Sequence, residues 1–348
     1  MKQKRKFGLL LIVTVIIAAT VLLLAKTDLI KKTKYYIPDD ENRIENIVDF
    51  IKEGNHFVVI DRSGSMELNH IVDIIYDHPD IFWLDMEYKV ISLGNVSALH
   101  FKDKYDNIEE KQFMIEKTAN TVLQGILTED MNEYDKVLAI HDWICENVIY
   151  IEGANASDQE LYGALVAGEA RCAGYAKAFT YLLDKAGIKS SVVSGESIDK
   201  YGNSVPHAWN VVYIYNEPYY FDITWDDDYR RGATHDWFGL TTEEFKKSHF
   251  PSLGYEWENA VATDACYYVK NGMCISNYSV DQLAAAVLRQ GNSFTLKCST
   301  RNVLDDVIEA LSDKNEMQQL MRLANINKID TISYETNDNN YCIFVKIS

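Results

Sequence analysis

The first strong hydrophobic pattern in the chain is FGLLLIVTVIIAATVLLLA, an uncharged run from Phe7 to Ala25. A helix of this length, at about 1.5 Å per residue, approaches the roughly 30 Å thickness of bilayer hydrocarbon. Basic residues at Lys2, Lys4, Arg5 and Lys6 precede the run, and the positive-inside rule holds such residues in the cytoplasm. We therefore predict an uncleaved signal-anchor helix over residues 7–25, with the remainder of the chain outside the cell.

A cleaved secretion signal is the alternative interpretation of the same run. Its apolar region is usually about 7–15 residues long and is followed by an Ala-x-Ala-like cleavage site, whereas the run here ends in LLLAKTD. The far side of the run also carries basic residues, at Lys31, Lys32 and Lys34. They weaken the argument that the run is oriented with its N-terminus in the cytoplasm. In either case residues 1–34 hold a basic tip, the apolar helix and a stalk. The body is expected outside the cell, on a single-pass membrane anchor, or secreted if the signal is cleaved.

Two later stretches share one pattern of helix, glycine break, apolar strand and second helix. They read ENRIENIVDFIKEGNHFVVIDRSGSMELNHIVDIIYDH and VDQLAAAVLRQGNSFTLKCSTRNVLDDVIEALSD. Without a gap, the aligned pairs include Gly54 with Gly291, Asn55 with Asn292 and Phe57 with Phe294. The periodicities predict two similar small α+β modules, over residues 35–109 and 261–348, on either side of a central domain over residues 110–260.

The central region contains two helical patterns before its strands begin. These are KQFMIEKTANTVLQGIL and DKVLAIHDWICENVIY, and the second carries His141 and Cys145 four residues apart. Cysteine is among the most buried residue types, so we interpret this pair as core residues. With helices and strands in every segment after the anchor, the predicted fold class is α+β.

The segment FVVIDRSGSM raises the question of a metal site. An apolar run that ends in Asp-x-Ser-x-Ser is typical of adhesion domains of the von Willebrand A type, where Asp61, Ser63 and Ser65 would be the oxygen ligands. The equivalent segment of the second module, residues 298–302, has no acidic residue. Serine hydroxyls and a glycine also suit a turn that caps the following helix. We therefore predict a turn here, and no metal or cofactor anywhere in the protein.

The charge and the cysteine count exclude other classes of protein. A formal net charge of -18 argues against nucleic acid as a partner, because that binding depends on clustered Lys and Arg. Six cysteines are compatible with disulfides in an exported protein, but no pair has zinc-site or Cys-x-x-Cys spacing. If Asn271-Gly272 is a hairpin turn, Cys266 and Cys274 face opposite sides and cannot form a bridge.

A candidate nucleophile stands in the segment GEARCAGYAKAF. Cys172 lies where an irregular glycine-containing stretch enters a helix. A thiol at a helix N-terminus experiences the positive end of the helix dipole and unpaired amide donors, which favour the thiolate. The small residues Ala173 and Gly174 leave that end of the helix open. Cys172 is therefore predicted to be reactive.

A histidine and a carboxylate follow on two neighbouring strands. His207 begins the strand HAWNVVYI and Asp222 lies in YYFDIT, with a turn near Asn216. Side chains alternate along strands, so His207 and Asp222 are predicted on the same face. A two-residue turn at Asn216-Glu217 would set Asp222 opposite Val211, so a bulge or slip at Pro218 is needed. Cysteine, histidine and carboxylate together are a nucleophile, a general base and the group that orients it.

The segments GEARCAGYAKAF, HAWN and FDITW resemble the transglutaminase-like superfamily, in its bacterial membrane-anchored form. The resemblance covers roughly residues 110–235 and rests on three separate motifs in the same order. It implies a papain-like central domain, with a helix that bears cysteine and a sheet that bears histidine and aspartate. Residue by residue, it implies Cys172 as nucleophile, His207 as general base and then acid, and Asp222 as the orienting carboxylate.

Several features around these motifs stay open. The Cys172 N–H is one candidate donor to an oxyanion, and Tyr162 or a nearby tryptophan could supply the second. Trp209 and Trp225 are either core residues or walls of the cleft. The acidic run at residues 226–228 could attract calcium, as in animal transglutaminases. We favour a solvated turn, because the alternating ligands of a calcium loop are missing.

The expected activity is cleavage or transfer of an amide or peptide acyl group through a thioester. The same three residues serve a protease, an amidase or an acyltransferase that joins Gln to Lys, depending on whether water or an amine attacks the thioester. The expected partners are a protein or peptide substrate, for which the cell wall is one source, and the membrane. The alternative is a catalytically silent binding or scaffold protein at the cell surface.

Overall fold

The computed structural model describes residues 43–61, 78–93, 96–152, 159–199, 201–228, 230–252 and 255–348. They belong to two compact units, one up to Ile108 and one from Glu109 onward. The predicted anchor at residues 7–25 lies outside the described residues, as do Ser63 and Ser65 of the predicted turn. Within the described part of the chain, no helix is both long enough and apolar enough to cross a membrane.

The first unit consists of one helix and a three-stranded sheet. Its elements are α1 (Arg43–Lys52), β1 (Phe57–Asp61), a short 3-10 turn (Pro79–Ile81), β2 (Leu84–Leu93) and β3 (Val96–Asp103). The sheet order is β1-β3-β2, and both pairs are antiparallel. Ile47 and Ile51, four residues apart on α1, are completely buried, as helical periodicity predicts.

Three long helices open the second unit. They are α2 (Ile108–Ile126), α3 (Glu133–Asn147) and α4 (Cys172–Lys185), with the short strands β4 (Ile149–Tyr150) and β5 (Glu169–Ala170) between α3 and α4. The N-cap of α3 is Asn132, whose side chain accepts a hydrogen bond from the Asp135 N–H at 3.0 Å. Such a cap stabilises a helix by about 1 kcal/mol.

A five-stranded antiparallel sheet packs against α4. The strands and short helices that follow α4 are β6 (Ser190–Ile198), β7 (Ser204–Ile214), β8 (Glu217–Phe221), α5 (Ile223–Asp226), β9 (Asp227–Asp228), β10 (Gly232–Ala233), β11 (Phe238–Leu240), α6 (Thr242–Phe245) and β12 (His249–Pro251). The order in the sheet is β11-β8-β7-β6-β12. Because β12 returns beside β6, residues far apart in sequence meet on one face of this sheet.

The hairpin between β7 and β8 turns one residue earlier than the sequence analysis assumed. Ile214 pairs with Glu217, and the two turn residues, Tyr215 and Asn216, have φ values of 52° and 68°. Two positive φ angles define the type I′ turn whose twist suits adjacent strands. The assumed turn at Asn216-Glu217 was therefore wrong, and so was the expected irregularity at Pro218, since pairing is continuous through it.

The C-terminal part of the second unit contains a four-stranded sheet. Its elements are α7 (Tyr267–Lys270), β13 (Cys274–Ile275), α8 (Val280–Gln290), β14 (Ser293–Cys298), α9 (Arg301–Ser312), α10 (Lys314–Leu323), β15 (Ile332–Asn337) and β16 (Cys342–Ile347). The sheet order is β13-β14-β16-β15. The hairpin considered at Asn271-Gly272 does not form, because these residues end α7 and β13 then pairs in parallel with β14. Cys266 and Cys274 are both free thiols.

The two stretches that resemble each other in sequence begin with the same local structure. In each, a helix is followed by a glycine with positive φ, +83° at Gly54 and +85° at Gly291, and then by a strand. Glycine adopts this conformation without the steric cost that a Cβ imposes. The similarity of the two modules beyond this point stays a prediction, since residues 62–77 are outside the described part.

The apolar core of the second unit is continuous from the five-stranded sheet to the C-terminal strands. Trp209 of β7 and Cys342 of β16 belong to one buried cluster. Nearby, the buried Lys297 ammonium lies 2.9 Å from a carboxylate oxygen of Glu244, at the end of α6. The ammonium is buried while the Glu244 side chain is partly exposed, so this ion pair joins β14 to α6 at the edge of the core. The C-terminal strands therefore support the sheet that carries His207.

Candidate active site

Cys172 is the first residue of α4, as the sequence predicts. The residue before it, Arg171, has extended backbone, and β5 leads directly into the helix. A π-helical turn over Gly163–Ala167 precedes β5 and ends at Gly168, which has φ +71°. Cys172 is only 7% exposed. Its thiol therefore combines the helix N-terminus with a largely water-free surrounding.

Asn210, the last residue of the HAWN segment, connects the sheet to this helix. Its side-chain amide donates to the Ala176 carbonyl at 2.9 Å and to the Thr180 hydroxyl at 3.0 Å. Both acceptors lie on α4, within the eight residues after Cys172. Buried polar groups are costly unless they are paired, so this side chain fixes β7 relative to α4. The relative position of Cys172 and His207 depends on it.

His207 and Asp222 lie next to each other. The distance from His207 Nε2 to Asp222 Oδ2 is 2.7 Å. Since Phe221 pairs with Asn210, the next residue, Asp222, reaches the level of Trp209 instead of Val211. The corrected hairpin turn therefore brings Asp222 to His207 without a bulge.

The Cys172 side chain interacts with the His207 imidazole and, after Asp222, contributes to its raised pKa. Because Nε2 faces Asp222, the other ring nitrogen, Nδ1, is the one available to the thiol. The structure thus brings the three predicted residues, Cys172, His207 and Asp222, into one continuous arrangement. Cysteine, imidazole and carboxylate in this order are the arrangement of an activated nucleophile.

The surroundings of His207 and Asp222 favour the charged form of both groups. Burial opposes a charged imidazole, but the Asp222 carboxylate and the Cys172 side chain outweigh it and raise the pKa of His207 to about 10. Burial likewise opposes the Asp222 carboxylate, yet hydrogen bonds and charge from His207 and His249 hold its pKa well below the ordinary value. At neutral pH the site therefore contains imidazolium and carboxylate in contact.

His249, which the sequence analysis did not single out, is part of the same cluster. Its Nε2 lies 3.1 Å from Asp222 Oδ2, the oxygen that also faces His207. The other carboxylate oxygen accepts a hydrogen bond from the Trp225 N–H at 3.1 Å. The segment KKSHFP carries no spacing signal that links it to the motifs around Cys172 or His207, since only the position of β12 in the sheet brings it here.

Two of the tryptophans have different roles. Trp225 stacks on His207, with ring centroids 5.0 Å apart and an angle of 24° between the planes. Trp209 is completely buried and belongs to the core. The sequence left open whether these tryptophans are core residues or walls of the cleft, and the structure contains one of each. Trp209 fills the core, and Trp225 covers the imidazole that faces Cys172.

Gln159 is a second residue that sequence reasoning missed. Its side-chain oxygen accepts a hydrogen bond from the Ala173 N–H at 3.2 Å, so its carboxamide lies at the first turn of α4. The remaining amide hydrogens of such a side chain are donors. Tyr162, which the sequence analysis considered for this role, instead has the Lys111 ammonium 3.6 Å from its ring centroid.

A second cluster of polar groups lies beside α3. His141 and Cys145 are 0% and 5% exposed, so their predicted burial is confirmed, but His141 also has polar partners. Its Nδ1 lies 2.8 Å from Asp142 Oδ1, and its Nε2 lies 3.2 Å from Asp226 Oδ2. His235 Nε2 contacts the same Asp142 oxygen at 2.8 Å. These contacts make the cluster a largely buried hydrogen-bonded network that joins α3 to α5.

The acidic run at residues 226–228 is not a solvated turn, and the preference for that interpretation was wrong. Asp226 is completely buried and accepts hydrogen bonds from the Trp237 N–H at 3.0 Å and the Thr234 hydroxyl at 3.0 Å. The next residue, Asp227, accepts from a tyrosine hydroxyl at 2.6 Å, and Asp228 pairs with Arg231 at 2.8 Å. Asp226 and Asp227 have partners from distant segments, His141 and Tyr175, which local sequence does not reveal.

Two groups among the described residues have the composition to hold a metal ion. One is His141, Asp142 and His235, and the other is His207, Asp222 and His249. In both groups a carboxylate oxygen already faces two imidazole nitrogens at hydrogen-bonding distance. The polar atoms of each group are thus satisfied by one another.

Comparison with known proteins identifies the class. Residues 120–228 match the family model of the transglutaminase-like superfamily. The chain therefore carries a core domain of this superfamily, and the resemblance seen in the three motifs is confirmed. The matched range includes Cys172, His207 and Asp222.

Curated relatives and solved structures share only part of the chain. The kyphoscoliosis peptidase of Mus musculus is 27% identical over 125 residues, which are 33% of this chain and 19% of the relative. The human kyphoscoliosis peptidase is 26% identical over 130 residues, or 34% of this chain and 20% of the relative. The chain thus spans about a fifth of the length of the curated relatives it matches.

Two solved structures show distant similarity. A candidate cysteine protease from Cytophaga hutchinsonii is 18% identical, with 40% of this chain and 61% of that chain covered and a TM-score of 0.28. A TGase crystal structure is 15% identical, with 65% of each chain covered and a TM-score of 0.30. At these TM-scores neither structure adds to the assignment.

Proposed function

We propose that the protein is a cysteine-dependent acyl enzyme that attacks amide or peptide groups through Cys172 and a thioester intermediate. The observation that carries the proposal is the buried contact of 2.7 Å between His207 and Asp222, beside a cysteine at the N-terminus of α4. A histidine oriented by a carboxylate next to a thiol is a sufficient set for nucleophilic catalysis.

In the first half of the reaction, the proton that the Cys172 thiol gives up is held on His207, whose imidazolium is stabilised by the Asp222 carboxylate. The thiolate sulfur then forms a bond to the acyl carbon, and the electron pair of the carbonyl moves onto its oxygen. The Cys172 N–H and the Gln159 carboxamide are the donors we assign to this oxyanion, because both belong to the first turn of α4 or contact it. When the C–N bond breaks, His207 donates its proton to the departing amine, and a thioester remains.

In the second half, water or a second amine attacks the thioester carbon. His207 takes the proton of the attacking group, and the C–S bond breaks to regenerate Cys172. Asp222 holds the imidazole in the orientation that both transfers need. Water gives hydrolysis, and a lysine amine gives an isopeptide bond. The name of the curated relatives, kyphoscoliosis peptidase, favours hydrolysis of a protein or peptide substrate, of which the cell wall is one source.

The fate of the acyl group tests this function. Purified protein is incubated with an activated peptide ester and with a Gln-containing peptide, in the presence or absence of a Lys-containing peptide, and intact mass is recorded over time. We expect one transient acyl adduct, located on Cys172 by peptide mapping. Decay to free acid identifies hydrolysis, and a cross-linked peptide pair identifies transfer.

The alternative function is a silent binding or scaffold protein. It predicts no acyl adduct and no product from any of these substrates, although the fold is intact. It also predicts that an alkylating reagent modifies Cys172 no faster than the half-buried Cys274. The reactivity of the Cys172 thiol therefore separates the two functions.

We further propose that the protein is anchored in the cell membrane by residues 7–25, with its body outside. The support is the length and apolarity of that run in the sequence. Protease added to intact cells is expected to degrade residues 35–348, while a tag on residue 1 stays protected and sediments with membranes. Release of a soluble chain that begins near Lys26 would instead establish a cleaved signal.

A further inference from the structure

His249 reaches the active site from the opposite edge of the sheet. The edge strand β12 pairs with β6, where His249 lies opposite Ser197, and β6 in turn pairs with β7. On β6, Gly195 lies between His207 of β7 and Pro251 of β12. A Cβ at Gly195 would lie 2.2 Å from the Phe250 carbonyl oxygen. Glycine at this position therefore permits the close approach that brings His249 to the cluster.

The hydrogen bonds of His249 determine which of its nitrogens carries a proton. An ionised carboxylate only accepts hydrogen bonds, so His249 Nε2 must donate to Asp222 Oδ2 across their 3.1 Å contact. On the other side of the ring, Nδ1 lies 3.0 Å from the Ser248 hydroxyl. A neutral ring protonated on Nε2 accepts the Ser248 proton at Nδ1, and both polar atoms of the ring are satisfied.

The surroundings favour this neutral form. Burial is the main cause that lowers the pKa of His249, and the charge on His207 lowers it further, against the opposing effects of Asp222 and of a hydrogen bond to the Phe245 backbone. Asp222 and His207 are the titratable groups that face the ring. Aromatic rings enclose it, with the Phe245 centroid 4.0 Å and the Trp225 centroid 4.8 Å away. His249 is completely buried, so its orientation is fixed.

We propose that His249 is a positioning residue for the acyl reaction, a neutral imidazole that donates to Asp222 and keeps this carboxylate ionised and directed at His207. The inference rests on the proposed function, because it assigns His249 a role in that reaction. Two imidazoles share one oxygen of Asp222, at 2.7 and 3.1 Å. The second donor prevents the carboxylate from rotating away when His207 loses its proton during the cycle.

The test compares His249→Phe with His249→Gln. Phenylalanine keeps an aromatic ring among Phe245 and Trp225 but removes the donor, whereas the glutamine amide can restore an N–H near the Nε2 position. We expect His249→Phe to lower kcat by about 10- to 100-fold, the range for one lost hydrogen bond to a charged group. His249→Gln is expected to recover most of this loss.

The pH profile separates positioning from a purely structural role. Loss of the donor raises the pKa of Asp222, so the acid limb of kcat/KM should move to higher pH in His249→Phe and return in His249→Gln. Ser248→Ala, which removes only the partner of Nδ1, is expected to cause a smaller shift in the same direction. If His249→Phe does not fold, Ser248→Ala replaces it in the comparison with wild type. Equal kcat and an unmoved acid limb in the folded variants would overturn the proposal.

A direct titration of Asp222 tests the role of His249 without a measurement of activity. The ¹³C signal of the Asp222 side chain can be followed with pH in wild type and in both His249 variants. We expect its midpoint to rise in His249→Phe and not in His249→Gln. A wild-type protein that forms no acyl adduct would contradict the proposed function, while an unchanged Asp222 midpoint would contradict the role of His249 alone.

Discussion

Replacement of Cys172 by alanine is expected to abolish turnover, with a loss on the order of 10⁶ in kcat. This is the size found when the nucleophile of a comparable serine triad is removed. No other group of the cluster can replace the sulfur, because His207 and Asp222 are already engaged with each other at 2.7 Å. The measurement is product formation from the activated peptide ester, together with intact mass.

The matched control for this variant is Cys145→Ala. Cys145 is also a buried cysteine beside a histidine, with its sulfur 4.0 Å from His141 Nε2. It lies inside α3 and not at a helix N-terminus, and burial raises the pKa of its thiol. We expect Cys145→Ala to keep wild-type acylation. If it removes the acyl adduct while Cys172→Ala retains it, the nucleophile has been assigned to the wrong cysteine.

The three motif residues were predictable because each lies in a strong local pattern. Cys172 falls where a glycine-containing stretch meets an apolar helix, and His207 begins an apolar strand. Helix and strand periodicities locate such positions without knowledge of the tertiary fold. The alternation of side chains along strands also predicts the face of the sheet on which Asp222 lies. Its predicted neighbour on β7 was wrong by two residues, because Asp222 lies level with Trp209 and not with Val211.

His249 and Gln159 could not be predicted from the same patterns. His249 reaches Asp222 only because β12 returns to pair with β6, and that pairing depends on sheet order, which no local periodicity encodes. Gln159 contacts Ala173 across fourteen positions that include a π-helical turn. Side chains that act through tertiary contacts of this kind require the structure.

The burial of Asp226 could not be predicted from the local sequence. Three consecutive aspartates favour a solvated turn when only their own polarity is considered. In the fold, His141, Thr234 and the Trp237 amide supply enough donors to bury the first of them. Burial of a charged group is tolerated when it is paired, and these partners come from α3 and from the segment before β11.

Asp222→Asn is expected to retain the fold and to reduce kcat by about 10⁴, as the equivalent change does in a serine triad. Asp222 now accepts from both imidazoles at Oδ2, at 2.7 and 3.1 Å, and from the Trp225 N–H at Oδ1. An amide has only one oxygen, so if that oxygen stays with the Trp225 N–H, the amide nitrogen faces His207. The amide nitrogen cannot accept, so His207 loses its preferred tautomer. The loss is measured on the activated ester and, independently, on a Gln-containing peptide.

The same substitution should change the pH dependence in a defined direction. The carboxylate helps to raise the pKa of His207 to about 10, so without it the imidazolium is lost at lower pH and the alkaline limb of kcat/KM moves towards neutral. The free energy of unfolding depends on the same titration of His207. The contribution of charged His207 is present below its ordinary pKa of 6.5 and disappears as pH rises through about 10, so the thermal midpoints of wild type and Asp222→Asn should converge at high pH. A variant with wild-type kcat and an unmoved alkaline limb would show that Asp222 does not orient His207.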